Sequence, residues 1–197
     1  MQDLAEGVAR FQRDVFPAKA ELFARLATHH TPHTLFIGCS DARVVPELIT
    51  GCEPGELFVI RTAGNLVPPH TPGADGVAAS IEYAVGALGV TDIVVCGHSA
   101  CGAMTALAEE HDLSDAPAVA TWLRHADASR ARTAAPGDVP SLVRQNVLAQ
   151  LANLATHPSV ARALAERKAT LHGWVYDIGT GRVTHLPTEA HAPAPAA

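Results

Sequence analysis

The sequence predicts an α/β fold: a mostly parallel β-sheet flanked by helices, with a helical arm at the N-terminus. Short runs rich in branched apolar residues at 33–38, 57–60 and 92–97 read as strands buried on both faces of such a sheet. A helical stripe lies between the second and third of them, as a parallel crossover requires. A chain of 197 residues, 48% hydrophobic, is also large enough for one substantial core and short for two.

Residues 4–16 place Leu4, Val8, Phe11 and Val15 at helical spacing, and after Pro17 a second segment adds Leu22, Phe23 and Leu26. We read residues 1–30 as an amphipathic arm belonging to the same domain as residues 31–186. Such an arm needs a surface on which to bury its apolar face, on its own domain or on a partner subunit. The crossover helix spans 75–88, where Val77, Ile81, Ala84, Val85 and Leu88 form one stripe and Gly89 supplies a stop. From 116 to 167 the pattern is mostly helical, broken near Pro136-Gly137 and at Pro158, and 170–178 reads as a last strand. Residues 187–197, ending Ala-Pro-Ala-Pro-Ala-Ala, read as a flexible tail.

The formal net charge of -6 is spread along the chain without a Lys/Arg cluster, which argues against nucleic acid as a partner and for a small molecule. Asp3 and Glu6 near the start, with no long apolar stretch, fit neither a signal peptide nor a membrane span. Four cysteines at 39, 52, 96 and 101 lack the spacing of a disulfide framework and are expected to be reduced, which gives a cytoplasmic address.

Ligands of open parallel sheets gather at the carboxyl ends of the strands. Cys39-Ser40-Asp41-Ala42-Arg43 follows the first run, and His98-Ser99-Ala100-Cys101 follows the third. Cys39, His98 and Cys101 form a Cys2His set that leaves one zinc position open for water or substrate, the mark of a catalytic rather than a closed structural site. Asp41 and Arg43 lie where they can orient the occupant of that position. The plainer reading makes Asp41 a helix N-cap and Arg43 a surface charge. Cys52 and Cys96 are read as small core hydrophobes.

With these motifs the sequence resembles the β-class carbonic anhydrases, bacterial and cyanobacterial members above all. The likeness extends through Gly55-Glu56-Leu57-Phe58-Val59-Ile60-Arg61, Ala63-Gly64-Asn65-Leu66-Val67, Ser80-Ile81-Glu82-Tyr83-Ala84, Cys96-Gly97-His98-Ser99-Ala100-Cys101-Gly102, Asn146-Val147 and His172-Gly173-Trp174-Val175-Tyr176. The resemblance implies a zinc lyase, with one Zn2+ per chain held by Cys39, His98 and Cys101, that reversibly hydrates carbon dioxide to bicarbonate and a proton. Zinc-bound hydroxide would be oriented by the Asp41-Arg43 dyad. In part of the family the aspartate swings onto the metal, which would make Asp41 a fourth ligand. Those members carry a bicarbonate pocket of Trp, Arg and Tyr; Arg61 and Tyr176 match it, but Phe36 stands at the tryptophan position and has no indole N–H to donate.

Where the family usually has a substrate-binding glutamine, often reaching across a dimer interface, this chain has His30. Either His30 binds substrate, adding a titration near pH 6.5, or it belongs with His29 and His33 to a solvent-facing polar turn. Gly102 either presents its backbone amide to bicarbonate or serves packing. Tyr83 is expected in the core or at an interface. The resemblance also implies a homodimer or higher homo-oligomer. The alternatives within the same fold are a non-catalytic zinc protein that senses bicarbonate and a hydrolase of carbon disulfide or carbonyl sulfide.

Overall fold

The computed structural model describes residues 3–187, so the expected tail lies, from residue 188 on, outside the described residues. The chain divides between Thr31 and Pro32 into two compact units.

In the N-terminal unit, the Asp3 carboxylate accepts from the backbone N–H of Ala5 at 2.9 Å and starts α1 (Leu4–Arg10). The stretch expected as one α-helix over 4–16 changes pitch at Phe11. Phe16 N donates to Phe11 O, five residues back, at 2.8 Å, so Phe11–Val15 forms a wider π-helical turn. Pro17 opens a short tight turn and α2 (Ala20–Leu26) follows. Phe11, Phe16 and Phe23 cluster with ring centroids 5.3 to 6.2 Å apart. Leu4 and Val8 stay 84% and 56% exposed.

The second unit is built on five strands in the order β2-β1-β3-β4-β5. β1 (Thr34–Cys39), β2 (Leu57–Thr62), β3 (Asp92–His98) and β4 (Thr170–Tyr176) pair in parallel, and β5 (Val183–Leu186) closes the edge antiparallel to β4. The last expected strand therefore ends at Tyr176, and β5 was not foreseen. Between the strands lie α3 (Pro46–Thr50), α4 (Gly76–Glu82), α5 (Gly102–Ala108), α6 (Pro117–Leu123), α7 (Asp127–Ala131), α8 (Val139–Leu154) and α9 (Pro158–Ala165). The crossover begins as expected, with the Asp75 side chain accepting from Val77 N at 2.8 Å. It relaxes into a π-helical turn over Tyr83–Ala87 and stops at Gly89, whose φ is +70°.

Leu35, Ile37, Ile93 and Val95 face the main core, which Ile81, Ala84, Val85, Val147, Leu151, Leu154 and Val160 complete from α4 and its π turn, α8 and α9. The helix α8 lies close to the sheet because β3 and β4 present glycines to it. A methyl group on Gly97 would come within 2.8 Å of Val147 Cγ2, and one on Gly173 within 3.0 Å of Leu151 Cδ1. Phe36, Val94 and Cys96 pack on the opposite face with Val59, Trp174 and Tyr176. Tyr83 is not core: it is half exposed and tilts against Phe58 at 6.0 Å. No helix among the described residues is long and apolar enough to cross a membrane.

Candidate metal centre

The carboxyl ends of β1 and β3 deliver Cys39 and His98, and Cys101 follows as the N-cap residue of α5. One ligating atom from each of Cys39, His98 and Cys101 lies within 4.8 Å of the others, and all three residues are buried. A tetrahedral ion with zinc–sulfur bonds of ~2.3 Å separates its ligand atoms by about 3.5–4 Å, which this spacing accommodates. An apolar cluster of Leu66, Met104, Leu123, Ala126, Leu142 and Val143 packs with the two cysteines.

The imidazole fits the role. His98 Nδ1 lies 2.9 Å from Ser99 O, which only accepts, so Nδ1 donates and Nε2 carries the free lone pair. That Nε2 is buried and has no hydrogen-bond partner among the described residues, an orphan that a metal ion resolves. The thiols fit as well. The hydrogen bond from Cys101 holds the Cys39 thiol well below its ordinary pKa against the opposing effect of burial. The Cys101 thiol is pushed up by that same hydrogen bond and by burial. Without added positive charge the pair thus keeps a proton, and a divalent cation supplies the charge that lets both ionise. Burial by itself lowers the His98 pKa, but the Cys39 sulfur outweighs it and the net direction is up.

Asp41 and Arg43 form a forked pair. Arg43 Nε donates to Asp41 Oδ1 at 2.9 Å and Nη2 to Oδ2 at 2.6 Å. The hydrogen bonds from Arg43 hold the Asp41 carboxyl well below the usual carboxylate range. Asp41 Oδ2 also lies 3.9 Å from His98 Nε2, facing the ligand group. Asp41 is not a helix N-cap: its Oδ1 accepts from Arg43 N at 2.9 Å in a local turn, and α3 begins only at Pro46. Arg43 is no free surface charge either, because Nη2 reaches Ala100 O at 3.0 Å, in the turn between His98 and Cys101.

The contacts of two residues escaped the sequence reading. Arg61, matched only to a bicarbonate pocket, donates from Nε to Cys39 O at 3.0 Å and from Nη2 to Asp41 O at 2.6 Å, holding the backbone that carries a ligand and the carboxylate. Gly64 donates its N–H to Cys39 Sγ at 3.4 Å from a tight turn in which Gly64 and Asn65 have φ of +73° and +49°. A turn was legible in Gly64-Asn65; its target, a backbone donor aimed at sulfur, leaves no side-chain signature.

Gly102 is the first residue of α5, and among the described residues no atom beyond its chain neighbours and its own helix backbone lies within 4 Å of where a Cβ would sit, so their packing does not demand glycine there. His30 lies in the N-terminal unit, in the segment that leaves α2. Phe36 is fully buried, edge-on to Trp174 at 6.3 Å. All four cysteines are free. Cys96 is a core residue whose thiol burial pushes up to about 12, whereas Cys52 is only part-buried.

A sequence profile of the carbonic anhydrase family matches residues 34–183. The chain is 58% identical over 192 residues to a carbonic anhydrase of Pseudomonas aeruginosa, covering 94% of this chain and 87% of that one. Among solved structures it is similar to the β-carbonic anhydrase CcaA, with a TM-score of 0.89 and 40% identity over 98% of this chain and 97% of that one. It is also similar to a tetrameric β-carbonic anhydrase from Sordaria macrospora, with a TM-score of 0.72 and 35% identity over 94% and 92% of the two chains.

Proposed function

This chain belongs to the β class of the carbonic anhydrase family, and from that premise we propose that it hydrates carbon dioxide reversibly to bicarbonate and a proton at a zinc ion held by Cys39, His98 and Cys101. The observation that carries the proposal is the buried, unpartnered His98 Nε2 grouped with two thiols beside an ionised, arginine-locked carboxylate. Zinc bound there would lower the pKa of a coordinated water from about 15.7 toward 7, so that hydroxide is available at physiological pH.

The chain's own residues do the rest. Asp41 Oδ2 faces the ligand group, where it would accept a hydrogen bond from the attacking oxygen and so turn a lone pair of that oxygen toward the carbon of the substrate. Arg43 keeps that carboxylate ionised and fixed in plane, and Arg61 fixes the backbone beneath it. Two thiolates would neutralise the charge of a zinc ion and make its water a weaker acid than three histidines would, which would raise the importance of the hydrogen bond to Asp41. Gly102 offers a backbone N–H at the start of α5 for a bicarbonate oxygen. An alternative placement of Asp41 on the metal would require it to leave Arg43.

The exposed apolar residues of α1 support a homo-oligomer, a dimer or larger, in which the arm packs on a second copy. Four free cysteines support a cytoplasmic setting. We assign His30 to substrate binding in such an assembly. His30→Ala is then expected to raise KM for carbon dioxide with kcat little changed; a KM identical to the parent protein's would return His30 to a surface turn.

The reading is tested by metal removal. Dialysis against a strong chelator is expected to remove about one zinc per chain and to abolish hydration, and added zinc to restore it. Full activity in protein shown to be metal-free would overturn the proposal.

A further inference from the structure

The Gly64 N–H that meets Cys39 Sγ belongs to the Ala63–Gly64 peptide, and the carbonyl of that same peptide is held from the other side. Trp122 Nε1, on α6, donates to Ala63 O at 2.9 Å. The next peptide is held too, by Asn146 Nδ2 donating to Gly64 O at 2.9 Å. Asn146 is fully buried on α8, and its Oδ1 accepts from Gln150 Nε2 at 2.9 Å and Ser129 Oγ at 3.2 Å. Burying these amides inside a helix face that otherwise packs Val143, Val147 and Leu151 costs free energy unless each is bonded, and here Asn146 spends its donor on the turn after β2. The turn passes close to α5, for a Cβ added to Gly64 would stand 3.0 Å from Ala103 Cβ.

We propose that Trp122 is a positioning residue for the metal centre: its indole N–H fixes and polarises the Ala63–Gly64 peptide, whose own N–H is bonded to the ligand Cys39, while Asn146 locks the peptide that follows. A donor bound to a peptide oxygen strengthens that peptide's N–H as a donor. A stronger hydrogen bond to a coordinated sulfur withdraws electron density from it and leaves the metal more acidic. Trp122 thereby acts on the metal through one peptide and one sulfur, without touching substrate.

This inference rests on the zinc reading above, and the test separates the two. Trp122→Phe keeps an aromatic ring on α6 and removes the N–H together with part of the indole. Asn146→Ala loosens the adjacent peptide and serves as the second variant. Each protein is prepared with cobalt in place of zinc, and the sulfur-to-cobalt charge-transfer band is recorded together with the pH profile of hydration by the zinc form. For Trp122→Phe we expect the band to move to lower energy. We also expect the kinetic pKa to rise by a few tenths and hydration at pH 7 to fall about threefold, less than the tenfold or more typical of a partner bonded directly to a ligand. Asn146→Ala should shift the band in the same direction. A merely structural Trp122 would lower the unfolding temperature and leave band and kinetic pKa unchanged, and that result overturns the inference. Failure of the parent protein to take up cobalt or zinc would overturn the zinc reading and this inference with it.

Discussion

Asp41→Ala is expected to retain about one zinc per chain and to lose roughly 10²-fold in kcat/KM for hydration, the scale on which a preorganised group that orients the reacting atom acts. Asp41 is not part of the Cys39, His98 and Cys101 group, so removing its carboxylate leaves that ligand set in place. What disappears is the acceptor at Oδ2, which Arg43 holds at 2.6 Å and which lies 3.9 Å from His98 Nε2. The fold should survive, because the Arg43 side chain is half exposed and its charge remains solvated when the partner is gone. Asp41→Asn separates shape from charge: the amide fills the same space but its nitrogen would confront the Arg43 donors, so activity should be low there too.

The sign of the pH dependence follows from the ion pair. The folded-state pKa of Asp41 is lowered by the hydrogen bonds from Arg43. The pair therefore contributes its stability above the ordinary carboxylate pKa and loses it only as pH falls through the depressed folded value. Within the neutral range Asp41 stays ionised, so no titration of hydration between pH 6.5 and 9 belongs to it. Zinc content by elemental analysis and hydration rates on the same samples check the prediction. Unchanged turnover in Asp41→Ala would remove the carboxylate from the mechanism.

Cys101→Ser is expected to abolish hydration by a different route, through loss of the metal. A serine hydroxyl does not ionise at neutral pH and replaces one of two thiolates with a poor ligand. The position makes this variant unusually clean. Cys101 is the N-cap of α5 and makes no side-chain capping bond, whereas serine is among the favoured N-cap residues. The metal-free variant should therefore fold and melt no lower than metal-free parent protein. Excess zinc should raise the melting temperature of the parent protein and not of the variant, since a ligand at 100 times its Kd stabilises by about 2.7 kcal/mol. Stoichiometric, tightly held zinc in Cys101→Ser would show that the three-residue ligand set is wrong.

The three ligands were legible because each sits at the end of an apolar strand run or at the start of the next helix, where spacing along the chain translates directly into position. The parallel strands were legible from their branched residues, with ends off by a residue or two: β1 runs to Cys39 and β3 to His98. The short edge strand β5 was not, because Val183-Thr184-His185-Leu186 is four residues long and half solvated, and carries little pattern of its own. The turn before it, where Asp177 N donates to Arg182 O at 2.8 Å, and its antiparallel ladder with β4 align it. The π turns after α1 and α4 were hidden because one extra residue in a turn leaves the apolar stripe nearly intact. Arg43 was legible as the partner of Asp41 because the two are neighbours in sequence. Arg61 and Trp122 act on backbone carbonyls 20 and more residues away, and nothing in their own sequence neighbourhood names those acceptors. Amides at Asn146 and Gln150, four apart and interleaved with the apolar Val143, Val147 and Leu151, were an available signal for the clamp on the turn after β2.

The central claim, that Cys39, His98 and Cys101 hold a zinc ion at which Asp41 and Arg43 orient the attack on carbon dioxide, is tested most directly by stopped-flow hydration from about pH 6.5 to 9 on protein of measured zinc content. The account predicts about one zinc per chain and rapid hydration that rises with pH through a single ionisation. Stoichiometric zinc with no hydration anywhere in that range would contradict it, and would turn attention to a zinc protein of this fold that senses bicarbonate or acts on carbon disulfide or carbonyl sulfide.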